Sequence, residues 1–217
     1  MDEIFDKVYS DGKLLFTKNK LPGKKVYDER CIKRKGVEYR GWDPFRSKLA
    51  GAIRKGLKNF PFVDGCKVLY LGASTGTTVS HLSDIVGDNG EIYSVEFAPH
   101  CMQLFIKNTE GRENVIPILA DANKPQDYKD VGTVDVIYED VAQPNQAEIM
   151  NKNADVFLKK DGIAMITIKS QSIDVTRKPD ETFEIVLKEL STHFEILEKM
   201  KLEPFDKDHL FVVLRKK

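Results

Sequence analysis

The spacing of apolar and polar positions changes character about a fifth of the way along the 217-residue chain. Before that point, short alternating pieces ("KLLFTKN", "KVYDERCI", "VEYRGW") are separated by turn residues such as "LPGKK" and "RKG". This pattern predicts a small strand-rich N-terminal unit over residues 1–45. "WDPFRSKLAGAIRKGLKNF" then reads as a helix opened by Asp43 and Pro44 and stopped by Pro61, with Leu49, Ile53 and Leu57 one turn apart. From Lys67 onward, apolar runs alternate with amphipathic ones. "KVLYLG" leads into "TTVSHLSDIVG", "EIYSVEF" into "PHCMQLFIKNTE", and "VIPILAD" into a short polar segment. "VDVIYED" leads into "PNQAEIMNKNADVFL", and "GIAMITIKS" passes through the loop "QSIDVTRKPD" into "ETFEIVLKEL". "FEILEKMKLEP" and "HLFVVLRKK" close the chain as a hairpin expected at a sheet edge. Such alternation predicts an α/β fold over residues 46–217, a parallel sheet with helices on both faces.

Composition narrows the function classes. Hydrophobic residues at 41% and charged residues at 31% describe an ordinary globular protein. No apolar run approaches the roughly 20 residues that cross a bilayer, and the acidic, mixed start "MDEIFDKVYS" does not read as a leader. A cytoplasmic location is the expectation. Cys31, Cys66 and Cys101 are odd in number and lack C-x-x-C spacing, so neither a disulfide framework nor a metal site is expected. Lys+Arg and Asp+Glu both number 34, which argues against a chain that grips nucleic acid unaided. From Lys18 to Arg40, however, nine basic residues face three acidic ones, a local excess of six. That excess suits either a solvated face or an RNA-contacting one.

Candidate chemistry starts at "VLYLGASTGTTVSHL". A dinucleotide turn needs G-x-G-x-x-G, because the second and third glycines make room for pyrophosphate and for close helix packing. Counted from Gly72, those places hold Ser74 and Thr77, so a dinucleotide is disfavoured. No Lys-Ser/Thr pair follows, so the turn is not a P-loop. A phosphate-free adenosyl cofactor, S-adenosylmethionine, fits better. Glu96 would then accept from the ribose hydroxyls, Phe97 would line the adenine, and Asp121 would take its amine, with Ala122 offering backbone contacts. All end strands on the side where open α/β sheets bind ligands. Each acid alternatively caps the element that follows it.

With those residues in hand, the chain resembles the fibrillarin family in its archaeal form. The resemblance rests on "WDPFRSKLAGAI", "VLYLGASTGTTVSHLSDIVG", "GEIYSVEF", "VIPILADAN", "VDVIYEDVAQPNQAEI", "IKSQSIDVT" and "KDHLFVV", in order along nearly the whole chain. It implies a Rossmann-like, class I methyltransferase sheet and an RNA-guided ribose 2′-O-methyltransferase of rRNA and tRNA. The implied partners are box C/D guide RNA, a Nop-type scaffold protein and a kink-turn-binding protein. The implied catalytic tetrad is Lys48, Asp140, Lys169 and His209. The implied cofactor contacts are Gly72, Ala73, Thr77, Thr78, Glu96, Phe97, Asp121, Ala122, Asp140, Val141, Ala142 and Gln143. Gly51 and Glu139 stand where alanine is expected in many relatives, and the Gly/Arg-rich tail of eukaryotic members is absent.

Attack of a ribose hydroxyl on a sulfonium methyl needs the hydroxyl proton removed and the growing oxyanion countered by positive charge. Lys169, ending an apolar run, is expected as proton acceptor or oxyanion partner, with Lys48 as the second cation. Asp140 is expected to orient a lysine, and His209 the acceptor ribose or its phosphate. Two other readings stay open on the sequence: a methyltransferase acting on a small molecule or protein side chain, and a non-catalytic ribonucleoprotein component.

Overall fold

The computed structural model describes residues 1–217. Five strands open the chain: β1 (Asp2–Phe5), β2 (Val8–Ser10), β3 (Leu15–Lys18), β4 (Cys31–Arg34) and β5 (Val37–Trp42). They form one antiparallel sheet in the order β1-β2-β3-β5-β4. The opening hairpin was not anticipated, and only the end of "KVYDERCI" is strand. There the Val26 and Tyr27 N–H groups donate to the Glu29 carboxylate, and Asp28 takes a positive φ of 63°, which bends the chain out of extended form.

The first helix, α1 (Lys48–Arg54), is shorter than expected. Its cap is Ser47, whose Oγ accepts from Ala50 N at 3.4 Å; Asp43 caps only a turn, through Phe45 N at 2.9 Å. Gly56, at φ 94°, ends it well before Pro61.

Alternating elements follow: β6 (Lys67–Leu71), α2 (Thr77–Val86), β7 (Glu91–Glu96), α3 (Pro99–Asn108), β8 (Val115–Leu119) and a 3₁₀ turn over Pro125–Val131. Then come β9 (Val134–Glu139), α4 (Gln146–Phe157), β10 (Leu158–Lys169), the one-turn α5 (Ser170–Ile173), α6 (Pro179–Leu190), β11 (Phe194–Lys201) and β12 (His209–Lys216). The seven strands from β6 onward lie in the order β11-β12-β10-β9-β6-β7-β8. β8, β7, β6, β9 and β10 run parallel; β12 is antiparallel to both β10 and β11, so the closing hairpin sits at the edge as expected.

Each face of this sheet has its own core. One packs α1, α2 and α3 through Leu49, Ile53, Val79, Leu82 and Phe105; the other packs α4 and α6 through Ile149, Met150, Phe183 and Leu187. Strands buried on both faces explain the near-continuous apolar runs. Val8, Leu15 and Trp42 of the N-terminal sheet belong to the first of these cores. The N-terminal sheet is further bound to α2 by buried polar contacts. Arg40 donates to Ser80 Oγ at 2.8 Å, Thr17 Oγ donates to Asp84 at 2.7 Å, and the Trp42 ring stacks on His81 at 4.9 Å.

Strand order reverses between β6 and β9, the place where such sheets open a crevice beyond their carboxyl ends. The turn after β6 explains Gly72. Its φ is 83°, and a Cβ there would lie 2.9 Å from the Asp140 carbonyl oxygen.

Candidate active site

Three strand ends and a helix start converge at that rim. Antiparallel register sets Lys169, the last residue of β10, opposite His209, the first of β12. Asp140 follows β9 directly, and its N–H continues the ladder to the Leu71 carbonyl at 2.9 Å. Lys48 is the first residue of α1. All four residues of the expected tetrad are thereby brought together.

Asp140 sits between two amines. Lys48 Nζ lies 3.2 Å from Oδ2 and Lys169 Nζ 2.7 Å from Oδ1. Lys169 also donates to the Asp140 carbonyl at 2.7 Å. Lys48 reaches a second carboxylate, Asp206, at 3.6 Å, and Asp206 holds His209 Nδ1 at 3.0 Å. His209 Nδ1 donates to the Lys207 carbonyl at 2.6 Å, so Nε2 is left for another partner. Burial strips water from the Lys48 ammonium and pulls its pKa down. Asp140 and Asp206 together outweigh that loss and hold it above the ordinary lysine value. Lys48 is therefore a fixed cation.

Residues that spacing did not reveal hold the cluster in place. Asp206 is one; its only trace in the sequence is an acid three residues before His209 in "FDKDHL". Gln146 is another. Its buried amide accepts from Lys169 N at 3.0 Å and donates to the Val141 and Thr167 carbonyls, pinning the ends of β9 and β10. Thr78 donates to Ser47 Oγ at 2.9 Å, which ties α2 to the cap of the helix that begins with Lys48. Glu139 is fully buried with neither carboxyl oxygen hydrogen-bonded. Burial keeps its carboxyl neutral well above the usual range; the nearby Lys169 charge opposes that and Asp140 adds to it. Gly51, the other departure, lies against Phe205 with room for a Cβ at 3.5 Å, so sterics do not demand glycine there.

Beside the cluster a cavity of about 370 Å³ is lined by Gly72, Val95, Glu96, Phe97, Ala120, Ala122, Val141, Ala142 and Gln143. That lies within the usual range for a small-molecule site. Glu96 is oriented by two backbone donors, Ser74 N at 2.8 Å and Ala98 N at 2.9 Å. Its remaining lone pairs are free to accept from a diol. Glu96 carries the only formal charge on these walls, and it is negative. An anionic wall without a cation suits a sulfonium and an uncharged nucleoside, and it suits a pyrophosphate badly. S-Adenosylmethionine thus fits the residues present. Of the other expected contacts, Ala73, Thr77, Thr78 and Asp121 do not line the cavity. Thr78 is occupied by Ser47, and Asp121 caps Asn123 N at 2.9 Å. Asp140 meets the turn at Gly72 through its backbone. A cavity of about 460 Å³ at Cys66, Asp135 and Lys159 lies at the opposite rim, where the strands begin, away from the tetrad.

Comparison with known proteins extends the picture. The sequence profile of the family described as fibrillarin matches residues 1–217. A Thermococcus sibiricus protein named fibrillarin-like rRNA/tRNA 2′-O-methyltransferase is 52% identical over 215 residues, covering 98% of this chain and 95% of its own. The crystal structure of Aeropyrum pernix fibrillarin with natively bound S-adenosyl-L-methionine superposes with a TM-score of 0.87 at 45% identity, over 93% of this chain and 88% of that one. A chain from a fibrillarin/Nop5p complex superposes at 0.92 and 43% identity over the full length of both.

Proposed function

The chain belongs to the fibrillarin family, and from that premise we propose that it is an RNA ribose 2′-O-methyltransferase using S-adenosylmethionine. The observation that carries the reading is the placement of Lys48, Asp140, Lys169 and His209 in one cluster beside an anionic, cation-free cavity. Glu96 would hold the ribose diol of the cofactor, Phe97 would flank its adenine, and the Val141–Gln143 segment would supply backbone contacts. When bound, that cofactor supplies an electrophilic methyl group.

The chain's own residues do the rest. Asp140 holds both ammonium groups at the rim, so positive charge already stands where the acceptor oxygen becomes negative. Lys169 is the nearer of the two at 2.7 Å and is braced by Gln146. His209, fixed at Nδ1, presents Nε2 for the acceptor ribose or its phosphate.

A relative has been crystallised with Nop5p, and a scaffold of that kind is the partner we propose here. Box C/D guide RNA and a kink-turn-binding protein would complete the particle, in the cell interior. Balanced charge supports a shared task, because phosphate contacts supply most unaided affinity for RNA. Mapping 2′-O-methylation on a guide-matched RNA, with labelled methyl donor and with or without the scaffold, tests the proposal. Label on one ribose only in the complete assembly is expected. Transfer to a small acceptor by the isolated chain, with none to RNA in the assembly, would refute it.

A further inference from the structure

A second cavity of about 540 Å³ lies between the N-terminal sheet, α1 and the segment before β12. Its walls combine exposed cations with aromatic rings: Lys13, Arg30, Arg46 and Arg54, with Phe45 and Phe205. Phe45 is 66% exposed, and its ring meets Phe205 edge-on at 5.2 Å. Three acids also line it: Asp28 and Asp43 are exposed, while Glu29 is buried and paired with Arg40, so the four cations remain in excess at the surface. An aromatic left open to water beside arginines is costly surface in a free chain and ready surface for a stacked base.

Contacts join this cavity to the tetrad. Phe205 packs against Gly51 of α1, one turn from Lys48, and the next residue, Asp206, holds both Lys48 and His209. Arg46 lies two residues before Lys48 and is held over the Tyr27 ring at 5.4 Å. The groove thus reaches the cluster through α1 and the Phe205–Asp206 segment, whereas the cofactor cavity meets it through Gly72 and Val141.

We infer that the groove binds the RNA strand next to the target nucleotide, a base against Phe45 and Phe205 and backbone phosphates on Arg30, Arg46 and Arg54. The inference rests on the RNA-methyltransferase reading and deepens it. It gives the chain a substrate-holding role of its own, although its net charge is zero.

The test uses the full chain in its assembly with scaffold protein and guide RNA. Phe45→Ala combined with Arg46→Ala is expected to raise KM for the RNA about tenfold or more. kcat should stay within about twofold and cofactor affinity should be unchanged, because neither residue lines the cofactor cavity. Arg30→Glu, an exposed change far from the helix cap, should raise KM as well. It should also flatten the dependence of log affinity on log salt by about one. A photoreactive base placed one to three nucleotides from the target should crosslink to Phe45 or Phe205. Unchanged KM and salt slope in both variants would overturn the inference, as would a photoreactive group placed at Phe45 crosslinking to the scaffold protein instead of RNA. Absence of RNA methylation by the unsubstituted chain would instead sink the parent reading.

Discussion

Asp84 and Asp140 each lie between two cations, in different surroundings. Asp84 faces Arg40 at 3.4 Å and Arg112 at 2.7 Å, and it also accepts from the Thr17 hydroxyl and from Lys20 N. Side-chain exposure there is 0% for Asp84 and Arg40 and 2% for Arg112. Asp140 faces Lys48 and Lys169, with exposures of 16%, 21% and 13%. Guanidinium groups keep their charge at any working pH and fit a carboxylate geometrically; amines are point charges that can give up a proton. The first triad therefore fastens the N-terminal sheet to α2. The second is left open to water and to a substrate. One charge pattern becomes a closed clamp or, on the function proposed above, a reactive centre, according to burial and to the choice of arginine or lysine.

Substitutions can break that contrast. Asp140→Ala removes the carboxylate that the Lys48 and Lys169 amines share and leaves only Asp206 beside Lys48. Transfer should fall by about a thousandfold or more, while the circular dichroism of the folded chain stays native. Undiminished transfer would remove Asp140 from the site. Asp84→Asn should do the reverse. Removing one partner of a closed ionic cluster costs about 3–5 kcal/mol, read as a lower urea midpoint. Transfer per folded molecule should hold. A variant that keeps its midpoint would show that the triad is not a clamp.

Lys169→Ala should slow transfer by about a hundredfold with little change in cofactor affinity; equal losses in both would contradict a role confined to the reaction. Lys169→Arg sharpens the point. Arginine keeps the charge but cannot take a proton, so it should retain more activity than alanine if charge is what matters. A loss as deep as alanine's would make Lys169 the proton acceptor.

The remaining effects are dependences on pH and come from two buried titratable groups, one near each triad. Burial, then the charges of Arg40 and Arg112, hold His81 neutral well below the ordinary imidazole range. The unfolded chain takes up that proton below about 6.5. The His81 contribution is therefore complete above that pH and lost as pH falls, by at most about 1.4 kcal/mol per pH unit. Glu139 acts in the opposite sense. Its folded carboxyl stays protonated while the unfolded one ionises above about 4.3, so its contribution is complete below that value and lost as pH rises. Urea unfolding between pH 5 and 8 should show His81→Gln removing the acid-side slope and Glu139→Gln the alkaline-side slope. Unaltered profiles would mean that neither group differs between the folded and unfolded chains.

Much of this was readable along the chain. Period and strand-end acids predicted the doubly covered sheet, its closing hairpin and the turn at Gly72, because burial on both faces demands continuous apolar runs and local sterics demand glycine. Resemblance of short motifs picked out four residues that the fold brings into one cluster. Legibility failed where competing local signals had to be ranked. Asp43 and Ser47 are both capping residues; Ser47 caps α1, and a contact from Thr78 of α2 holds it there.

Tertiary structure alone decided the rest. Nothing local marks Arg40 as fully buried, Asp206 as the link between Lys48 and His209, or Gln146 as the brace of two strand ends. These residues look like ordinary solvated polar positions in a sequence. Their roles also depend on partners far along the chain, as Asp206 and Lys48 show. A one-dimensional pattern encodes the periodicity of each element, whereas the meeting of charges depends on strand register and on the order in which the strands assemble.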